Sequence, residues 1–317
     1  MLEIIPLKEE HLEDAARLVS QRYVKLLEQV PLLPKRYADV SVLLPLLHDI
    51  LHSSGCGAAA FRGKRLVGFL TAWRMPAFRD RRSIYSPEWA NAVDLEDSAY
   101  IYEELYNQQS SVWAANGFSA FYFSLFPNDV DALQAFYRMN FGMMSVDGLC
   151  GVEPIKCQTE KSVIRRAEMT DLPQVIELHE ALFAYMKGAP VFWLTARRER
   201  SDYEEWLQDP SKVVWLACIK NEPVACLRVG PADPDVCTII VDEKTASIYA
   251  AFTKEGARRG GAATALLQHA LEWARQAGYE RCAVPYEPMN LLGSRFWSKH
   301  FQPVCYSICR ILDDRLF

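Results

Sequence analysis

The sequence predicts an α/β protein made of two tandem halves, each a central mixed β-sheet flanked by helices. Three observations carry this. The chain has 317 residues, about twice an ordinary domain of roughly 150, and half of them are hydrophobic. Strand-like runs alternate with segments of helical periodicity throughout. The same order of elements also recurs at an offset of 160 residues.

The elements follow in order. IIPLKEEHLEDAARLV reads as strand, turn and amphipathic helix, with Leu12, Ala15, Ala16, Val19 and Tyr23 on one face. VIRRAEMTDLPQVIELHEAL repeats this pattern, with Leu172, Val175, Ile176 and His179 in the same roles. Each half then predicts a hairpin, turning at Arg62-Gly63-Lys64 and at Lys220-Asn221-Glu222. Each next shows a helix ending in glycine and an aromatic, Asn116-Gly117-Phe118 and Ala277-Gly278-Tyr279, because glycine suits the left-handed position past a helix end. An apolar strand follows, FSAFYFSLF or RCAVPY. The segment Phe136 to Phe141 matches Phe296 to Phe301 at the same offset of 160. Both halves therefore read β–α–(α)–β–β–β–α–β–α–β. The polar stretch from Glu153 to Lys161 is the seam, giving expected domains of 1–155 and 160–317.

Composition excludes several classes of function. Lys+Arg 35 against Asp+Glu 40 gives a net charge of −5, without the basic excess that binding a nucleic-acid backbone demands. No run of about 18 apolar residues exists to span a membrane, and the acidic start MLEIIPLKEEH is unlike a signal peptide. The nine cysteines show no paired metal-site spacing, so free buried thiols and no metal are expected. These features together predict a cytoplasmic protein. The basic run Arg79 to Arg82 reads as a solvated loop.

The sharpest local pattern lies in the second half. A β-prone run, Ser247 to Thr253, enters a glycine-containing loop. This loop opens a helix whose apolar stripe is Ala263, Leu266, Leu267, Ala270, Leu271 and Ala274. Strand, glycine loop and helix start form a phosphate-binding geometry, because the first-turn N–H groups lack intrahelical acceptors and carry partial positive charge. Gly260, Gly261, Ala262 and Ala263 allow close approach, and Arg258 and Arg259 add cationic donors. The nucleotide P-loop does not fit, since Ala262 stands where lysine is required. The dinucleotide fingerprint fails too, at Arg258.

What fits is Arg258-x-x-Gly261-x-Ala263, which resembles the R/Q-x-x-G-x-G/A loop of the GNAT superfamily of acetyl-CoA-dependent N-acetyltransferases. The resemblance covers about 162 to 317 and, through the repeat, extends to the first half. It implies acetyl-CoA as co-substrate, with its pyrophosphate on the loop from Arg258 to Thr264. It implies a pantetheine contact along Ala251, Phe252 and Thr253, and further contacts at Asn290 and Phe296. Glu287 and Tyr286, at the end of the fifth strand, become the candidate base and acid. The leaving thiolate is commonly reprotonated in this family by a tyrosine at the position held here by Trp297, whose indole is no acid near neutral pH. Either another group, such as Tyr286 or Tyr306, takes that role, or the thiolate leaves without help. The aromatic segment Phe183 to Trp193 would line the acceptor site.

In the first half an offset near 161 sets Asp97 to Tyr102 against Arg258 to Ala263. Aromatics and acids replace the small residues there, so this half is expected to be a degenerate copy without the pyrophosphate loop. The resulting expectation is acetyl transfer to the primary amine of a small molecule by direct attack on the thioester. The other reading is a non-catalytic acetyl-CoA sensor or partner-binding protein. The sequence is silent on oligomeric state.

Overall fold

The computed structural model of the chain describes residues 1–155, 162–194, 198–233 and 237–317. Positions 156–161 of the expected seam lie outside them. The fold is a mixture of helices and mixed β-sheets, as expected, and it divides into two compact units. The first comprises Met1–Asp147, Cys237–Ile239 and Pro303–Phe317; the second comprises Gly148–Val236 and Ile240–Gln302. Packing thus cuts the chain differently from the division at 1–155 and 160–317. The last strand of the second half belongs to the first unit, and the end of the last strand of the first half belongs to the second.

The first unit starts with β1 (Leu2–Pro6), α1 (Leu12–Gln29) and α2 (Val40–Ser54). The face predicted for α1 is buried, with Leu12, Ala15, Ala16, Val19 and Tyr23 all at 1% exposure or less. The hairpin of β2 (Gly57–Arg62) and β3 (Arg65–Thr71) turns where expected, through Gly63 at φ 64°. The sequence then departs from its reading. Between α2 and the next long helix lie five strands instead of three, because β4 (Trp73–Phe78) and β5 (Arg81–Ser86) form an additional hairpin before β6 (Asn91–Val93). The basic run is therefore an exposed turn in its first half and strand in its second. Arg79 and Asp80 form the turn at positive φ, while Arg81 and Arg82 open β5 and Arg81 pairs with Asp314.

After β6 come α3 (Ser98–Ala115), β7 (Ala120–Leu125), α4 (Val130–Arg138) and β8 (Gly142–Gly151). Strand β6 pairs with β3 in one sheet, of order β1-β2-β3-β6. Strand β7 belongs to another, parallel to β5 and antiparallel to the C-terminal strand of the chain. Side chains fill the gap between β6 and β7. The Asn91 amide donates to the Ser124 carbonyl at 3.2 Å and the Pro87 carbonyl at 2.9 Å, and its oxygen accepts from the Tyr102 hydroxyl at 2.9 Å. Beside them the buried pair Arg22–Asp129 closes at 2.6 Å, and Asp129 also accepts from Ser98 and caps α4 through Ala132 N. A cluster of Tyr106, Trp113, Phe121, Phe123, Phe136 and Phe141 completes this core.

The second unit shows the predicted order. It contains β9 (Val163–Arg166), α5 (Leu172–Lys187), α6 (Arg200–Gln208), β10 (Val213–Ile219), β11 (Glu222–Pro231), β12 (Thr245–Thr253), α7 (Ala262–Gln276), β13 (Arg281–Tyr286) and α8 (Leu291–Trp297). Strands β9 to β12 are antiparallel neighbours, and β12 and β13 are parallel. The β10–β11 hairpin turns through Lys220 and Asn221, both left-handed (φ 51° and 67°), the two-residue turn that matches strand twist. Helix α5 buries Leu172, Val175, Leu178 and His179, with Ile176 only partly covered. The C-terminal strand, β14 (Gln302–Ile311), then pairs with β7 from Tyr306 to Ile311.

Candidate functional site

The candidate site in the second unit starts where two strands part. Strands β12 and β13 pair only over Thr245–Ser247 and Arg281–Ala283, although β12 continues to Thr253 and β13 to Tyr286. Beyond Ser247, β12 keeps its other neighbour, pairing Ala251, Phe252 and Thr253 with Leu227, Cys226 and Ala225 of β11. The β11–β12 ladder shifts register between Arg228 and Val229, a bulge opposite Tyr249. The result is a wedge with one edge of β12 free of β13 along the segment that the sequence singled out.

The glycine loop lies at the end of this edge. A short turn, Glu255–Ala257, leads to Arg259 at φ 63° and to Gly261 at φ 84°, the residue before α7. Only glycine adopts that left-handed position without strain, so Gly261 permits the sharp entry from loop to helix. Ala265 N closes the first helical bond to the Gly261 carbonyl at 3.0 Å. The N–H groups of Ala262, Ala263 and Thr264 then lie in the first turn, where a helix offers no carbonyl to them. The stripe predicted for α7 shifts by one position at its start: Ala262 is 4% exposed, while Ala263 and Thr264 are only half-buried.

Arg258 is held by its own loop. Its Nε donates to the Thr253 carbonyl at 3.1 Å, and its guanidinium lies 5.2 Å from the Tyr185 ring centroid and 6.0 Å from that of Phe252. Tyr185, on α5, in turn donates its hydroxyl to Asn290 Oδ1 at 3.2 Å. Asn290 caps α8 by accepting from Gly293 N at 3.2 Å, and its Nδ2 faces Met186 Sδ at 3.7 Å. The structure thus brings Thr253, Phe252, Arg258 and Asn290 together through Tyr185. The sequence placed Tyr185 only within the broad segment Phe183 to Trp193. In that segment Phe192 is 74% exposed, and its near neighbour Leu194, just past the segment, is 78% exposed, whereas Phe183 packs edge-on against His179.

Tyr286 ends β13 and is buried, at 6% exposure. Glu287 follows it, half-buried, and its carbonyl accepts from Asn290 N at 3.0 Å, which joins the strand end to the α8 cap. Phe296 stacks edge-on with Trp297 at 4.8 Å, and Trp297 is buried against Phe301 at 5.6 Å. Trp297 is therefore a packing residue here. Tyr306 belongs to β14 and lies against the core of the first unit.

One buried group went unread in the sequence. Arg228, on β11, is 2% exposed, stacks on Trp206 at 3.8 Å and donates to His179 Nε2 at 3.4 Å. Its Nε has no partner, and among the described residues no carboxylate pairs with it. Burial lowers its pKa to about 10, and burial together with the cations Arg228 and Arg198 pushes His179 down to about 3. His179 is thus neutral. With Nε2 accepting from Arg228, its Nδ1–H faces the Tyr203 hydroxyl at 3.4 Å and locks α5 to α6.

In the first unit the corresponding helix start differs. Helix α3 begins after Asp97, which takes the left-handed position at φ 62°. By helix starts Asp97 therefore stands where Gly261 stands, and not opposite Arg258 as the sequence offset had it. Its carboxylate pairs with Arg62 at 2.6 Å.

The second unit thus sets a mixed sheet that splays beside a left-handed glycine at a helix start. Residues 174–297 match the acetyltransferase (GNAT) family model, so the second half carries a GNAT domain. The solved structures agree in fold. A GCN5-related N-acetyltransferase from Sphaerobacter thermophilus superposes with a TM-score of 0.56 at 11% identity, over 98% of this chain and 95% of that one. The GCN5-related glucosamine N-acetyltransferase region of a fungal multi-domain GH3 β-N-acetylglucosaminidase gives 0.55 at 12% identity, over 98% of this chain and 38% of that one. The present chain thus spans well under half the length of that protein. Among curated proteins, none matches this sequence. The described residues include no helix long and apolar enough to cross a membrane.

Proposed function

We propose that the protein transfers an acetyl group from acetyl-CoA to the primary amine of a small molecule, and that the second half does the chemistry. The observation that carries this reading is the wedge between β12 and β13 ending at the Gly261 turn. The residues present fit the co-substrate. Gly261 carries no side chain at the start of α7, Gly260 and Ala263 are small, and Arg259 is exposed beside them. A diphosphate there would accept first-turn N–H bonds and lie at the positive end of the helix. The free edge of Ala251 to Thr253 would pair with the pantetheine arm as an added strand. A main-chain N–H on that edge would polarise the thioester carbonyl. Asn290 and Phe296 complete the contacts.

The amine must be neutral to attack, and Glu287, half-buried at the end of β13, takes its proton directly or through water. The C–N bond forms as the C–S bond breaks, and the departing sulfur takes a proton from the Tyr286 hydroxyl. The exposed Phe192 and Leu194 offer an apolar wall for the acceptor. The first half is read as a degenerate copy: Asp97 replaces the turn glycine, and the gap between β6 and β7 is occupied by Asn91 and Tyr102. The burial of Trp297 where the family uses a tyrosine favours a second reading, a protein that binds acetyl-CoA without turning it over. Mass spectrometry of a panel of primary amines incubated with protein and acetyl-CoA separates the two. Acetylated product supports catalysis. Calorimetric binding with no product on any amine supports the sensor, and no binding overturns both.

A further inference from the structure

The first unit gathers donors that no spacing in the chain announces. Asp147 on β8, Cys237, and Cys305 on β14 are 5%, 6% and 0% exposed. One carboxylate oxygen and the two sulfurs all lie within 4.8 Å of one another. Glu88 stands beside them at 2% exposure. Its Oε1 accepts from Ile239 N at 3.0 Å, whereas its Oε2 is buried with no hydrogen-bond partner. The Trp89 indole donates to Thr238 Oγ1 at 3.1 Å, and Cys237 N donates to Asp147 Oδ1 at 3.3 Å, so the segment carrying Cys237 is pinned on both sides. Among the described residues no lysine, arginine or histidine forms an ion pair with Glu88 or Asp147.

We propose that Asp147, Cys237 and Cys305 form a zinc-binding site in the first unit, with Glu88 placed to supply or hydrogen-bond the fourth ligand. Two thiolates and one carboxylate are a donor set for Zn²⁺. Tetrahedral bonds of about 2.3 Å to sulfur and about 2.0 Å to oxygen put ligand atoms about 3.5–3.8 Å apart, inside the spacing found here. Two buried carboxyl groups without a cation are costly, and a divalent ion would offset that cost. On binding, each thiol releases its proton to solvent as its sulfur takes the metal. The ion would clasp β8, β14 and the Cys237 segment, three stretches distant in sequence that share this unit.

The test uses the full chain without a polyhistidine tag, grown with zinc and dialysed against a chelator, with metal counted by plasma mass spectrometry. About one zinc per chain is expected in the parent, falling below about a tenth in the Cys237→Ser, Cys305→Ser double variant. His52→Ala should retain it, which discounts the surface cluster of Glu9, His48 and His52, of which His48 is half-buried. A parent with less than about a tenth of a zinc per chain, or a double variant that keeps its zinc, overturns the site. Should the double variant not fold, the parent loaded with Co²⁺ decides. Thiolate-to-cobalt charge transfer with tetrahedral visible bands supports the site, and their absence refutes it.

Discussion

Replacing Ala263 by glutamate separates ligand binding from folding. Ala263 lies half-buried in the first turn of α7, two residues past Gly261, so a longer side chain can point outward without disturbing the buried Ala262. A glutamate there is favourable for the isolated helix, by about 0.3–1 kcal/mol, because it faces the positive end of the dipole. Opposite a diphosphate its charge works the other way. At about 5 Å and an effective dielectric of about 40, each phosphate charge costs about 1.7 kcal/mol, so two cost about 3 kcal/mol, roughly a 200-fold loss of affinity. Isothermal titration with acetyl-CoA and a thermal melt of the same sample measure the two effects. The expected result is an unchanged or slightly raised Tm with binding weakened by about two orders of magnitude. A variant that folds and binds within threefold of the parent, a span of about 0.7 kcal/mol, would refute the assignment of the diphosphate to this helix start.

Four further outcomes follow from the same geometry. Gly261→Ala forces a side chain into φ 84° and should lower stability by about 1 kcal/mol in urea unfolding while weakening acetyl-CoA binding. Asn91→Ala leaves Tyr102 and the Ser124 carbonyl without partners in the first unit and should cost about 2–4 kcal/mol, with acetyl-CoA affinity unchanged in the folded fraction. His179 is held at about 3 by burial against an ordinary value near 6.5. Below the latter the unfolded chain takes up a proton that the folded chain refuses. Stability should therefore fall with pH from about 6.5 downwards, by up to about 1.4 kcal/mol per unit from this group, and His179→Gln should flatten that slope in denaturant titrations at pH 7 and 5. Glu287→Gln should lower kcat/KM for amine acetylation by about 100-fold or more while acetyl-CoA still binds, and an unimpaired variant would remove Glu287 as the base.

Helical periodicity, turn chemistry and the position of glycine are local, and these features were legible. The faces of α1 and α5, the turns at Gly63 and at Lys220–Asn221, and the run from β12 through the glycine loop into α7 all follow from short-range sterics and burial. The additional hairpin β4–β5 was missed because Arg79 to Arg82 reads as polar loop, whereas Arg81 and Arg82 open a strand that pairs with β7 further on and Arg81 is held by Asp314. The sequence offset also misplaced the start of α3, since a shared element order does not fix register to the residue.

By itself, then, the sequence determined two similarly ordered halves and a glycine-containing loop that opens a helix in the second. These depend on the preferences of residues close along the chain. Tertiary structure alone decided that β14 completes the first unit, that Tyr185 joins Arg258 to Asn290, and that Asp147, Cys237 and Cys305 meet. Each of these depends on which distant segments share a core, and that is set by the burial of whole sheets, which no window of neighbouring residues contains.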